Sequence, residues 1–379
     1  MAGIYIHIPF CKQACSYCDF YFVTQRKLIP DFHAALLREI EAYRGSRMTS
    51  EPITTIYIGG GTPSLLSPDQ LEKIMAALDS VFNLQPEEVT LEMNPDDVHV
   101  DYLRGVRNAG ITRASMGIQS FDELLLGFMH RAHTAAEAEQ ALEALQKAGF
   151  KQFTADLIYG NPGQTEEMVA ADIRRLMAYS PPHVSAYSLT IEPGTRIGKQ
   201  VDLGRLRPPD EEEVERHFDL VRSELQSYGL EPYEISNFAK PECEAIHNSN
   251  YWRHVNYIGL GPSAHSLWWK EGRSAAHRWK NSSDFKSYCR TPETLADEKE
   301  ELALPELAEE RIMLALRTRE GITMHELEEA YRFRFSSSQA GWMEARAEEG
   351  LMDVTDQHVR LTTKGFKIAD YLTAELLSR

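Results

Sequence analysis

Six short β-rich runs alternate with longer amphipathic segments over the first 240 residues, and this alternation restricts the chain to repeated βα units around a parallel sheet. The runs are Ile4–Ile8, Thr55–Ile58, Val89–Met93, Ala114–Ile118, Phe153–Tyr159 and His183–Ile191, and Tyr233–Ser236 is a further strand candidate. Between them, Ser67-Pro68-Asp69-Gln70 and Thr134-Ala135-Ala136-Glu137 carry capping-box helix starts, and Gly110, Gly149 and Gly229 stand where helices should stop. Six units are too few for a closed eight-fold barrel. They predict a three-quarter barrel or a doubly wound sheet, with the site at the carboxyl ends of the strands in either case.

Those ends are where the chemistry-bearing residues fall. The first strand runs into Cys11-Lys12-Gln13-Ala14-Cys15-Ser16-Tyr17-Cys18, a C-x3-C-x2-C loop. Three thiolates can ligate three corners of a four-iron cluster and leave one iron open to a small ligand. The alternative is a zinc loop, for which His7 is the only nearby fourth donor. Gly59-Gly60-Gly61-Thr62-Pro63 follows the second strand; Glu92, Gln119 and Asp156 sit in or at the ends of the next ones, and Arg131 lies beyond the fourth. Each has a plain structural reading: a tight turn, a solvated strand end, a partnered carboxylate, a helix ion pair. Their common position behind a three-cysteine loop argues for one site.

A net charge of −17, from 40 Lys and Arg against 57 Asp and Glu, disfavours nucleic acid as a main partner. Five cysteines, two of them (Cys243 and Cys289) distant from the loop, make a poor disulfide framework and suggest a reducing compartment. The first apolar run is short and lacks a basic start, and no run approaches the roughly 20 apolar residues of a membrane span. The expectation is a cytoplasmic protein without a signal peptide.

The cysteine spacing together with GGGTP resembles the radical S-adenosylmethionine (SAM) superfamily, and Tyr5-Ile6-His7-Ile8-Pro9-Phe10-Cys11 is similar to its subgroup around anaerobic coproporphyrinogen III oxidase. The resemblance implies a partial (β/α)6 barrel with a 4Fe-4S cluster on Cys11, Cys15 and Cys18, and SAM held by Tyr5, Gly60, Gly61, Thr62, Glu92, Gln119, Arg131 and Asp156. The decarboxylating oxidase carries a further cysteine two residues after the third, where this chain has Phe20, and an N-terminal segment ahead of its first strand. In contrast, His247-Asn248-Ser249-Asn250-Tyr251-Trp252 and Tyr257 to Ser266 resemble the HemW group of haem chaperones. The resemblance thus implies a chaperone that binds haem and passes it to an acceptor protein, with oxidative decarboxylation of coproporphyrinogen III as the alternative.

The residues of that second motif suit haem. His247 is the leading axial-ligand candidate and His265 the second, with Tyr251, Trp252, Trp268 and Trp269 able to line a flat macrocycle and Arg253 or Arg273 to meet its propionates. The alternative for His247 is a hydrogen-bonded loop histidine, and Cys243 is a small buried side chain or a thiolate ligand.

The reading divides the chain into a barrel over 1–240, a small α+β linker with the haem motif over 241–303, and a winged-helix-like module over 304–379. In the last, helices are expected at Glu306–Arg317, Thr323–Tyr331 and Ser336–Glu349, then strands Met352–Thr355 and His358–Leu361 and a closing helix from Thr363, all after a loop over 290–304. Glu326, Glu328, Glu329, Glu344, Glu348 and Glu349 on the second and third helices argue against DNA recognition and for packing or protein docking.

Overall fold

The computed structural model describes residues 1–294 and 296–379, with side chains described outside 294–298. Strands β1 (Ala2–Ile8), β2 (Ile53–Gly60), β3 (Leu84–Met93), β4 (Arg113–Gln119), β5 (Gln152–Tyr159) and β6 (His183–Ser188) pair in sequence order, all parallel. Their alternation decides what faces where. In β1, Ile4, Ile6 and Ile8 are fully buried in the main core. Phe32, Ala35, Leu36 and Ile40 join them there, spaced three and four apart on the helix Ile29–Ala42. The intervening Gly3, Tyr5 and His7 point the other way, into the lumen.

Of the capping boxes expected at Ser67/Gln70, Thr134/Glu137 and Thr323/Glu326, the first two form completely. Gly110, Gly149 and Gly229 all adopt positive φ. Such backbone is easy for glycine and costly for residues with a Cβ.

Three expectations are corrected. The strand predicted over Tyr233–Ser236 is instead the link between β7 (Glu231–Pro232) and β8 (Asn237–Ala239), with β8 antiparallel to β6. Its extended backbone pairs elsewhere, since Ile235 N–H donates to Arg317 O and Arg319 N–H to Tyr233 O. The predicted run to Ile191 ends at Ser188.

Within the loop expected over 290–304, position 295 lies outside the described residues, and Ala296–Ala303 forms a strand, β12. It pairs antiparallel with β11 (Ala275–Asn281), and two of its glutamates are paired across the edge, Glu301 with Lys270 at 2.6 Å and Glu300 with Arg278 at 3.4 Å. A strand this rich in Glu and Lys carries no period-2 apolar signal.

With β9 (Asn256–Leu260), which runs parallel to β1, and β10 (His265–Trp269), these strands continue the sheet. Its order among the described residues is β12-β11-β10-β9-β1-β2-β3-β4-β5-β6-β8-β7. The segment after residue 241 is therefore largely an antiparallel extension of the barrel sheet.

The last part has helices Leu304–Ala315, Met324–Tyr331 and Ser337–Glu348 and a three-stranded antiparallel sheet of β13 (Ile322–Thr323), β14 (Met352–Val354) and β15 (His358–Leu361). Two short helices, Thr363–Phe366 and Ala369–Leu377, close it. This is the winged-helix-like arrangement. Its core includes Leu267, Trp269 and Ala276 of β10 and β11, so the module is seated on the sheet extension. At Thr323 only half of a capping box forms, because the Glu326 carboxylate is engaged by Arg311 at 2.6 and 3.1 Å.

Candidate functional site

The cysteine loop is held from several sides. Ser16 donates its N–H to Met129 O and its hydroxyl to Phe128 O, and accepts from Ile197 N–H at 2.9 Å. Gln13 donates to His130 O, and Lys12 bridges to Asp96 at 2.7 Å and to Asp97. Cys11, Cys15 and Cys18 are partly buried free thiols lining one cavity of about 570 Å³. Burial pushes the Cys18 thiol up to about 11, with the other two sulfurs adding to the effect.

Gly60, Gly61 and Thr62 line the same cavity. The first two are glycine for steric reasons. Gly60 has φ +110°, and a Cβ there would lie 2.6 Å from His7 Cε1; one on Gly61 would lie 2.7 Å from Phe10 O. The GGGTP turn is thereby pressed against the end of β1.

Glu92, Gln119, Arg131 and Asp156 complete the walls. Glu92 accepts the Tyr57 hydroxyl at 2.6 Å and Gly60 N–H at 3.0 Å. Burial raises its carboxyl to about 7 against the Tyr57 hydrogen bond, with the Asp156 charge adding to the rise. Asp156, raised to about 6 chiefly by burial, accepts from Ser115 at 3.4 Å. Gln119 has φ +67° beside a register shift between β4 and β5, a local irregularity of the kind that re-aims a side chain. Arg131 reaches Cys15 Sγ and Tyr17 Oη at 3.4 Å with one amine and Asn94 Oδ1 and Gly117 O at 2.7 and 2.9 Å with the other.

Tyr5 is placed differently. It is absent from the cavity lining, its ring stacks on Tyr57 at 6.2 Å, and its hydroxyl lies 3.0 Å from His7 Nδ1.

The haem candidates fall in two places. His247 lies on the helix Ile246–Trp252, which closes the floor of the barrel. Glu88 accepts the Ile246 and His247 amides at 3.1 and 2.9 Å and pairs with buried Arg113, which also holds Cys243 O. The His247 ring is 1 % exposed, with Nδ1 at 2.9 Å from Thr55 Oγ1 and Nε2 at 2.9 Å from Tyr251 Oη. Burial alone lowers its pKa to about 3. Both nitrogens of a neutral ring are thus engaged, so in this structure His247 offers none to iron. The seat of the ring is set from elsewhere in the chain. Gly3 leaves room for the ring, since a Cβ there would sit 3.1 Å from His247 Cε1, and nothing in the HNSNYW segment itself reports that.

Tyr251 and Trp252 line a groove of about 340 Å³ with Tyr187, Asn248 and Arg317. His265 is exposed at the start of β10, away from that groove. Trp268 and Trp269 are buried and unable to face a ligand; Arg253 pairs with Glu320, and Arg273 sits 4.1 Å over the Trp269 ring. The Cys243 sulfur lies 3.7 Å from Gln152 Nε2.

Tyr57, Arg113, His183, Ser185 and Tyr187 line the cavity without having been picked as site residues from the sequence, while Asn94 and Asn248 were read only as members of the strand-end and HNSNYW segments. Asn94 follows Glu92 by two and was legible as part of the strand-end signal. Tyr57 and Arg113 face the lumen inside strands, where period alone does not separate lumen from core.

No helix among the described residues is long and apolar enough to cross a membrane. The radical SAM superfamily model matches residues 5–176, and the HemN C-terminal domain model matches residues 302–368. The chain is 33 % identical over 376 residues to the heme chaperone HemW of Lactococcus lactis, covering 98 % of this chain and 96 % of that protein. It is 33 % identical to that of Bacillus subtilis, covering 96 % of each. A solved structure of coproporphyrinogen III oxidase (HemN) from Escherichia coli, described as a radical SAM enzyme, superposes with a TM-score of 0.82 over 99 % of this chain and 89 % of its own, at 21 % identity. That likeness is one of fold.

Proposed function

The chain belongs to the HemW haem-chaperone family of the radical SAM superfamily, and from that premise we propose that it binds haem and delivers it to an acceptor protein. The observation that carries this reading is the match along nearly the whole chain, barrel and C-terminal module together, to relatives named haem chaperones.

The residues fit a cluster and SAM. Three thiols face one cavity. That donor set suits a larger, multi-iron group. We assign Cys11, Cys15 and Cys18 to a 4Fe-4S cluster and Gly60, Gly61, Thr62, Glu92, Gln119, Arg131 and Asp156 to SAM. Tyr5 acts behind them through Tyr57. When bound, such a cluster supplies an open iron and an electron to a sulfonium ligand. The protein's part is to orient: the bare Gly60–Gly61 backbone admits close approach, Glu92 and Asp156 present carboxylates to a cationic ligand, and Arg131 ties the cysteine loop to β4.

For haem we propose the groove of Tyr251, Trp252 and Tyr187, whose rings offer an apolar face with Arg317 at its edge. His265 is the exposed imidazole of the four candidates and lies apart from it. The test is spectroscopic titration of the purified chain with haem, comparing Trp252→Ala and His265→Ala. Saturable binding weakened in Trp252→Ala supports the groove. Weakening confined to His265→Ala moves the haem to β10, and no saturable binding by the unaltered chain removes the chaperone reading.

A further inference from the structure

His247 does not take part in the site directly, yet it is packed against it. Its ring stacks on Tyr57 with centroids 5.3 Å apart and planes 29° from parallel, and Tyr57 passes its hydroxyl to Glu92 at 2.6 Å. The imidazole is locked from below. Thr55 and Tyr251 hold its two nitrogens, and Tyr251 meets it edge-on at 4.9 Å. Asn250 donates to the same Thr55 hydroxyl at 3.4 Å, and Glu88 anchors the start of the helix. From the third side Tyr5 stacks on Tyr57. Tyr57 is thus clamped between two rings, and only its hydroxyl is directed to a carboxylate of the cavity wall.

We propose that His247 is a positioning residue for the SAM site: seated in the barrel floor, it fixes the Tyr57 ring, and Tyr57 in turn fixes the orientation of Glu92 toward the ligand. This rests on the reading of the cavity as a SAM site. It gives the HNSNYW segment a role other than iron ligation. The histidine is used as a neutral, doubly hydrogen-bonded strut, for which its low pKa is suited. It also explains Gly3, whose missing side chain admits the strut.

A positioning role has a signature that simple loss of stability lacks. Around Glu92 stand Tyr57 and the Gly60 amide from β2, Asp156 from β5, Tyr5 from β1 and Tyr251 from the floor helix. The Tyr57 hydrogen bond lowers the Glu92 pKa, so releasing it moves that pKa further up. A sulfonium ligand with hydroxyl donors favours the ionised carboxylate, so its binding weakens as pH falls through about 7. Without the Tyr57 bond that fall begins at higher pH.

The experiment is equilibrium binding of SAM to the anaerobically reconstituted full chain between pH 5.5 and 9, with haem titrated in parallel. Tyr57→Phe and His247→Ala should each weaken SAM at neutral pH by roughly tenfold, as removal of outer-shell groups does, and raise the midpoint of the pH profile. His247→Gln, which can still bond Thr55 and Tyr251, should recover most of the loss, and the haem affinity of Tyr57→Phe should stay within about twofold. Unchanged SAM affinity and midpoint in a folded Tyr57→Phe chain would overturn the proposal, and that variant decides the matter if His247→Ala does not fold. Loss of haem affinity in His247→Ala with SAM binding intact would overturn it too. Failure of the unaltered chain to bind SAM would remove the reading beneath it, which is seen before any variant is compared.

Discussion

One amine of Arg131 lies 3.4 Å from the sulfur of Cys15, and its other amine lies 2.7 Å from the side-chain oxygen of Asn94. The planar fork spans the cysteine loop and the loop after β3, which a lysine cannot do with a single ammonium. Arg131→Lys should keep the charge but loosen the loop. Iron and acid-labile sulfide per chain after reconstitution should fall, and the remaining cluster should be lost faster to a chelator; unchanged content and loss rate would show that the fork is not needed.

Lys12 ties the same loop to the turn after β3. Asp97 is 4 % exposed, so removing its partner leaves a buried carboxylate without its cation. Lys12→Met should destabilise the segment by about 1–3 kcal/mol. Hydrogen exchange over residues 11–18 in the cluster-free protein measures this, with faster exchange confined to that loop as the expected result.

Glu39 gives the stability a pH dependence of predictable sign. It is buried and accepts from Gly261 N–H, Asn281 Nδ2 and the Tyr288 hydroxyl, at 2.8, 2.6 and 2.6 Å, yet burial still raises its pKa to about 7. A carboxyl whose folded pKa exceeds its unfolded value holds its proton more tightly when folded. Its contribution is therefore greatest at or below about pH 4.5 and is lost as pH rises toward about 7, by on the order of 3 kcal/mol in all. Glu39→Gln should flatten the change in urea midpoint between pH 5 and 7.5. A slope as steep as that of the parent chain would contradict the assignment.

The floor of the barrel is tightly packed around Gly3. A Cβ there would meet Thr55 Oγ1 at 3.0 Å and His247 Cε1 at 3.1 Å. Gly3→Ala should cost roughly 1–3 kcal/mol by overpacking. Thr55→Val, which keeps the volume but leaves the His247 Nδ1 without its partner, should cost about 1–3 kcal/mol as well. Chemical denaturation of the two variants checks both.

What the sequence made legible follows from local physics. The six parallel strands announced themselves through β-rich runs bounded by capped helices, and the cysteine loop, the GGGTP turn, Glu92, Gln119, Arg131 and Asp156 stood together because strand ends converge. The surroundings of His247 were not legible, for the opposite reason. Its partners Thr55, Tyr57 and Gly3 lie roughly 190 to 240 residues away, and a histidine with both nitrogens engaged looks in sequence like one with a nitrogen to give. The strand Ala296–Ala303 was hidden by its charges, of which Glu300 and Glu301 pair with Arg278 and Lys270 across the sheet edge.

The central claim, a haem carrier on a radical SAM scaffold, is tested most directly by one anaerobic assay on the cluster-loaded full chain. Haem and coproporphyrinogen III are supplied in separate reactions with SAM and a reductant, and bound haem and new vinyl groups are quantified. The account predicts saturable haem binding and no vinyl product. Vinyl formation from coproporphyrinogen III without saturable haem binding would contradict it.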